Sequence, residues 1–306
     1  MRYVVTGAAG FIGSHLLRTL LDRGHDAIGW DAFTAYYDPA LKEENAAELP
    51  VERIDLVDDE LPDLTGVDGV FHLAGQPGVL SFGDVFTVYV RQNVLASRRL
   101  LEAATTAGAR VALASSSSVY GDAEEYPTAE DARPRPLSPY GITKLATEHL
   151  AYAYGREFGL DAVALRYFTI FGPRQRPDMA LSRMVACAIE GRPFSLFGDG
   201  TQSRSLTYVD DAVEATIVAM ERGTSSSVYN VGGGVEVTVR RWIEVLESVS
   251  GRTLEVVPAP WREGDARRTA ADTTRIRADT GWEPQTSFEV GLAAQWRWAA
   301  DRVAAP

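Results

Sequence analysis

The sequence predicts an α/β protein built on a doubly wound parallel sheet, with a smaller C-terminal α/β lobe. Three observations lead there. Short apolar stretches at 2–6, 26–30, 67–73, 111–114 and 162–167 alternate with helical patterns, the order that builds a parallel sheet covered by helices. A glycine-rich turn follows the first stretch and opens a helix. A chain of 306 residues, 45% hydrophobic and 24% charged, is long enough for one large core with a lobe attached.

Arg2–Thr6 reads as a buried strand that runs into Gly7-Ala8-Ala9-Gly10-Phe11-Ile12-Gly13, and Leu16, Leu17, Leu20 and Leu21 then mark a helix. A tight turn, close backbone approach and free N–H groups at a helix start together suit a pyrophosphate. The second strand ends in Asp31, 18 residues after Gly13. A carboxylate there accepts from adenosine ribose hydroxyls and repels a 2′-phosphate, and Ala32, Phe33 and Thr34 offer no arginine. The expected cofactor is therefore NAD rather than NADP. Lys42 falls near the adenosine edge, and in Ile54-Asp55-Leu56 the Asp55 carboxylate is placed to accept from the adenine amino group. The 67–73 strand leads into Leu73-Ala74-Gly75-Gln76, small residues that admit a flat ring. His72 reads as a packed or capping histidine. Residues 84–108 read as a long helical segment containing Asn93, and 111–114 delivers four serines. The 162–167 strand ends at Tyr167, also expected beside the cofactor.

Those serines open the chemically informative stretch, 113–144. Ser115 to Ser118 precede Val119-Tyr120-Gly121, and Ser138-Pro139-Tyr140-Gly141-Ile142-Thr143-Lys144 follows. Ser138 suits an N-cap and Pro139 a first helical position, so Tyr140 and Lys144 share one helix face at i and i+4. An ammonium near a phenol favours phenolate, which can take a proton from a substrate hydroxyl while a strand-end serine holds the same oxygen. Of 30 basic residues only Lys42 and Lys144 are lysine. A lysine kept among arginines suits a close point contact that guanidinium cannot make.

In the second half, Arg174, Arg176, Arg183, Arg192, Arg204, Arg262, Arg267 and Arg268 are interspersed with loops such as Leu196-Phe197-Gly198-Asp199-Gly200. This pattern predicts a locally basic pocket for an anionic substrate. Tyr208-Val209-Asp210-Asp211 begins a helix, 228–231 is expected to rejoin the main sheet, and 292–303 closes the chain as a helix. A net charge of −12 argues against nucleic acid or an anionic membrane as partner. No stretch reaches the length of a membrane span, and no signal peptide is expected before the first strand. A single cysteine, Cys187, fits a reducing compartment, so a cytoplasmic location is expected. His15, His25, His72 and His149 lack metal-ligand spacing.

Together the Gly7-x-x-Gly10-x-x-Gly13 loop, Asp31, Ser116/Tyr140/Lys144, Phe171-Gly172-Pro173 and Tyr208-Val209-Asp210-Asp211 resemble the extended short-chain dehydrogenase/reductase family, in its branch of nucleotide-sugar epimerases, dehydratases and decarboxylases. The resemblance spans essentially the whole chain. It implies a Rossmann domain over 1–170, with a return segment near 205–232, and a mainly nucleotide-sugar-binding lobe over 171–306. It also implies a tightly held NAD, a homodimer, and a catalytic serine at Ser116.

Within that branch, dehydratases carry an Asp-Glu pair before Val-Tyr-Gly, where this chain has Ser117 and Ser118. Decarboxylases usually have glutamate at the second position, and galactose-type 4-epimerases usually have asparagine at the position of Thr169. The serine run, Phe168-Thr169, Arg176-Pro177-Asp178-Met179-Ala180 and Tyr36-Tyr37-Asp38-Pro39-Ala40-Leu41-Lys42 resemble UDP-glucuronate 4-epimerases. Leu80 departs from that pattern, which has arginine there. The expected substrate is then a UDP-hexuronic acid, with a neutral UDP-sugar or decarboxylation as the alternatives. Tyr140 would take the O4 proton as a hydride moves from C4 to NAD, and the 4-keto sugar would turn over before the hydride returns. Ser116 would hold O4, while Lys144 would lower the Tyr140 pKa and bind the nicotinamide ribose. Ser117, Ser118, Thr169 and Arg176 would clamp the sugar carboxylate. Phe197, Arg204 and Arg267 complete the expected substrate contacts, the two arginines on the diphosphate.

Overall fold

A computed structural model of the chain describes residues 1–78, 82–83, 85–261 and 266–304. Leu80 and Arg262 lie outside the described residues. The chain runs β1 (Arg2–Thr6), α1 (Phe11–Asp22), β2 (Asp26–Asp31), α2 (Pro39–Ala46), β3 (Val51–Arg53), β4 (Gly69–His72), α3 (Phe86–Tyr89), α4 (Ala96–Ala107), β5 (Arg110–Ser116), α5 (Pro139–Phe158) and β6 (Ala162–Tyr167). It continues through β7 (Thr169–Phe171), α6 (Ala180–Glu190), β8 (Phe194–Phe197), β9 (Ser203–Tyr208), α7 (Val209–Arg222), β10 (Val228–Val231), β11 (Glu236–Thr238), α8 (Val239–Ser250), β12 (Val256–Ala259), β13 (Arg268–Thr269), α9 (Thr274–Thr280) and α10 (Phe288–Ala304).

Seven strands form one sheet in the order β10-β6-β5-β4-β1-β2-β3, every neighbouring pair parallel. The strand order reverses beside β1, with β2 on one side and β4 on the other. That switch point opens a crevice at the carboxyl ends of the strands, where ligands bind in such sheets. Leu16, Leu17 and Leu20 of α1 pack with Val213 and Ile217 of α7 on one face, and Leu100 and Leu101 of α4 pack with Ala151 of α5 on the other. The 228–231 stretch rejoins the main sheet beside β6, as the sequence predicts.

The smaller lobe follows β6. There β9 pairs with β7, β11 and β13, while β8 pairs with β12. Leu181 and Met184 of α6, Trp242 and Leu246 of α8, and Leu292 of α10 form its core. Local chemistry fixes the element that matters most. Ser138 Oγ accepts the Gly141 N–H at 3.1 Å, Pro139 occupies the first turn, and α5 ends at Gly159 with φ 74°.

The described part of 84–108 is helical from Phe86 to Ala107, as expected, and residues Val90–Leu95 between α3 and α4 form a π-helical turn. Asn93 sits in that wider turn, where its side-chain amide reaches out of the helix to other elements. Among the described residues, no helix is long and apolar enough to cross a membrane, and no group of three His, Cys, Asp or Glu is placed to hold a metal ion.

Candidate active site

A cleft of about 810 Å³ lies at the carboxyl ends of the sheet strands and extends under the smaller lobe. Its floor is the turn between β1 and α1. Gly7 stands at φ 72°, and a Cβ there would meet the Leu73 and Ala74 backbone at 2.8–3.0 Å. A Cβ on Gly13 would lie 2.1 Å from the Gly7 carbonyl oxygen. The first α1 hydrogen bond runs from Ser14 N–H to the Gly10 oxygen, so the amides of Phe11, Ile12 and Gly13 are left for a phosphate. This cradle fits NAD, and it does so through absent side chains.

The adenosine edge follows. Asp31 is buried at the end of β2, accepting the Ala9 N–H at 3.1 Å and the Phe33 N–H at 2.7 Å. Lys42 Nζ lies 4.0 Å from Asp31 Oδ1 and donates to Thr34 Oγ1 at 3.1 Å. Leu56, Leu73, Ala74 and Gly75 line the same end. Asp55 does not. Its Oδ1 accepts the Val57 N–H at 2.8 Å, closing the turn of its own loop. Asn93 is likewise behind the wall. It accepts the Gln76 N–H at 2.7 Å and donates to Thr143 Oγ1 at 2.9 Å, tying the loop after β4 to α5. His72 is enclosed between Thr6 Oγ1 and Ser97 Oγ, each at 2.8 Å, and burial beside Lys144 pushes it down to about 3. It is the packed histidine that the sequence predicts.

Ser116, Tyr140 and Lys144 converge on the cleft from β5 and α5, and Tyr167 lines it from β6. Ser116 lies close enough to Tyr140 to favour its phenolate. Its phenol lies above the ordinary value because burial disfavours the phenolate, and the cation that opposes this is Arg176. Lys144 Nζ donates to the Ala114 carbonyl of β5 at 2.8 Å and stands 5.9 Å from the Tyr140 ring centre. Burial lowers its own pKa to about 8, against the pull of Glu148 one turn along α5. Sharing a helix face thus brings the two side chains together at the cleft.

At the far end Ser117, Ser118, Thr169 and Arg176 line the cleft, as do Phe197 and Arg204 from the lobe. Arg176 forms a bidentate pair with Asp178, both contacts 3.0 Å, and Tyr36 donates to the same carboxylate at 3.3 Å. Arg204 Nη1 donates to the Ser203 oxygen at 2.9 Å. Arg267 is placed elsewhere. It is exposed, with its guanidinium 5.0 Å from the Trp261 ring centre, because a flat cation over an indole is a favourable arrangement in its own right. Sequence reasoning gave no role to Tyr36 and Asp178. They are 142 residues apart, and nothing in either local pattern signals the other.

A family model for the NAD dependent epimerase/dehydratase family matches residues 3–232. The chain is 39% identical to an uncharacterized UDP-glucose epimerase of Bacillus subtilis, over 95% of this chain and 96% of that one. It is 34% identical to a UDP-glucuronate 4-epimerase of Thermodesulfobacterium geofontis, over 98% and 97%. Among solved structures, it resembles the UDP-glucuronic acid 4-epimerase of Bacillus cereus in complex with UDP-glucuronic acid and NAD. That similarity has a TM-score of 0.94 at 37% identity and covers 99% of this chain and 100% of that one.

Proposed function

Because the chain belongs to the NAD dependent epimerase/dehydratase family, we propose that it interconverts UDP-glucuronate and UDP-galacturonate at C4, through a transient 4-keto sugar and without loss of CO2. The observation that carries this reading is the sugar end of the cleft, where three hydroxyls and one arginine stand beside the tyrosine. NAD, when bound, supplies the hydride acceptor and donor at C4. Tyr140 takes the O4 proton and later returns it, and Ser116 holds that oxygen. Lys144 binds the nicotinamide ribose.

A 4-keto uronate is a β-keto acid, and it loses CO2 when the breaking bond aligns with the carbonyl π system. Ser117, Ser118 and Thr169 donating to the carboxylate, with Arg176 paired to it, hold that bond out of alignment. The two serines are also poor acids and bases at neutral pH, so the pocket lacks the paired acid and base that elimination of water needs. Arg204, rather than the exposed Arg267, serves the diphosphate. In this reading residues 1–170 and the return segment near 205–232 hold NAD, and 171–306 mainly hold the nucleotide sugar. The protein works as a cytoplasmic homodimer, a reading supported by Ile142, Tyr152 and Phe158, exposed along α5.

Purified protein incubated with UDP-glucuronate and no added NAD, followed by proton NMR, is expected to yield an equilibrium mixture with UDP-galacturonate. A pentose product would mean that the carboxylate is not protected. The similarity to the Bacillus subtilis UDP-glucose epimerase favours a neutral sugar as the second reading. Turnover of UDP-glucose with none of UDP-glucuronate would replace the first reading by the second.

A further inference from the structure

Asp178 belongs to the cleft yet has no part in the chemistry above. Its carboxylate takes Nε and Nη2 of Arg176 and also accepts the Tyr36 hydroxyl. The two donors come from different parts of the fold, Tyr36 from the loop after β2 and Arg176 from the segment after β7. Tyr36 is itself closely confined. Gly78 stands at φ 105°, and a Cβ there would meet the Tyr36 hydroxyl at 2.8 Å and the Tyr89 hydroxyl at 3.1 Å. The three groups thus form a strap across the cleft, with only 24% of the Arg176 side chain and 37% of the Asp178 side chain exposed.

A guanidinium offers carboxylates more than one fork edge. Asp178 fills the edge made by Nε and Nη2. Among the described residues Nη1 carries no hydrogen bond, so the edge made by Nη1 and Nη2 is open to a second carboxylate. A uronate on that edge would share one cation with Asp178, and two carboxylates flanking one guanidinium repel each other. In a cleft between protein and water that repulsion is on the order of a tenfold loss of affinity.

We infer that Asp178 is a positioning residue that tempers the arginine clamp, fixing Arg176 by one edge and offsetting its charge so that the sugar carboxylate on the other edge is oriented but can be released. This rests on the uronate reading. An epimerase has to let its 4-keto sugar turn over, and a fully charged, unshared arginine would hold the carboxylate through every orientation. Binding that is stronger in the ground state than during that turnover lowers KM and kcat together.

The test removes the charge and keeps an acceptor. Asp178→Asn is expected to bind UDP-glucuronate about tenfold more tightly, with UDP-glucose affinity unchanged and both affinities measured calorimetrically in a Tyr140→Phe background. In the active background, KM for UDP-glucuronate and kcat both fall, and kcat/KM stays within about threefold. Asp178→Glu, which keeps the charge, stays near the parent. In an Arg176→Gln background no guanidinium holds the sugar carboxylate beside Asp178, so Asp178→Asn is expected to change uronate affinity by under about twofold. Asp178→Ser carries the same expectation as Asp178→Asn should the latter fail to fold. Equal shifts for both sugars, weaker or unchanged uronate binding, or an effect that persists without Arg176 would each overturn the inference. A parent protein that does not bind UDP-glucuronate at all would instead remove the uronate reading, an outcome separate from these.

Discussion

Tyr140 carries two opposing influences, burial that raises its phenol pKa and the Arg176 guanidinium that pulls it back. In the proposed reaction the phenolate takes the O4 proton, so loss of the cation is expected to move the rising limb of activity to higher pH. Arg176→Gln should therefore shift the pH profile of kcat upward and weaken UDP-glucuronate binding by about a hundredfold, with NAD content unchanged. Equal loss of NAD and sugar binding would contradict the clamp. Lys144 has the reverse problem, since burial lowers it from 10.5 to about 8. Between those values the unfolded chain binds more protons than the folded one. The cost of burying Lys144 is thus full below pH 8 and fades as pH rises toward 10.5. Lys144→Met is expected to abolish turnover yet gain stability at pH 7, by a margin that shrinks by roughly 2 kcal/mol by pH 9.5. Urea midpoints at the two pH values measure it, and a margin that does not change with pH would show that Lys144 is not a buried charge.

Elements whose chemistry is local were legible in the sequence. The strand, glycine turn and helix over 2–22 can be read because the turn is local, Gly7 standing at φ 72° and Gly10 and Gly13 both facing the Gly7 carbonyl. Gly13 faces the Gly7 carbonyl, and Gly13→Ala is expected to lower stability by roughly 1–3 kcal/mol and release NAD, read by melting temperature and by absorbance of the purified protein. Retained NAD with an unchanged melting temperature would mean that the turn relaxes freely. Ser138 and Pro139 announced α5 for the same local reason. The residues that sequence reasoning misplaced depend on partners far along the chain or on a finer turn. Asn93 was lost to a π-helical turn that no apolar period reveals. Lys144 was paired with Tyr140 by helix spacing, whereas its hydrogen bond to Ala114, on a strand 30 residues earlier, shows only in the fold.

Across the whole molecule, the last helix returns to support the sugar end of the cleft. Gln295 of α10 is 2% exposed, accepts the Gly172 N–H at 3.2 Å and donates to Gln175 Oε1 at 2.8 Å. Gln175 in turn donates to the Ile170 oxygen at 2.8 Å, and the next residue is Arg176. A chain of buried amides therefore fixes the backbone that presents the arginine, and each link is costly to leave unmade. The same helix also reaches the NAD half through the Arg302–Glu44 ion pair on α2, the helix that carries Lys42. That contact is much more exposed, and exposed pairs contribute little. The two links should separate on mutation. Gln295→Leu leaves the Gly172 N–H buried without a partner and is expected to cost about 2–3 kcal/mol, with UDP-glucuronate affinity falling at least about tenfold and NAD content retained. Glu44→Gln should change stability by under about 1 kcal/mol and leave both affinities unaltered. Urea unfolding with calorimetric titration of each ligand measures both. Were Gln295→Leu to lose NAD as readily as the nucleotide sugar, α10 would be supporting the fold as a whole rather than the arginine segment.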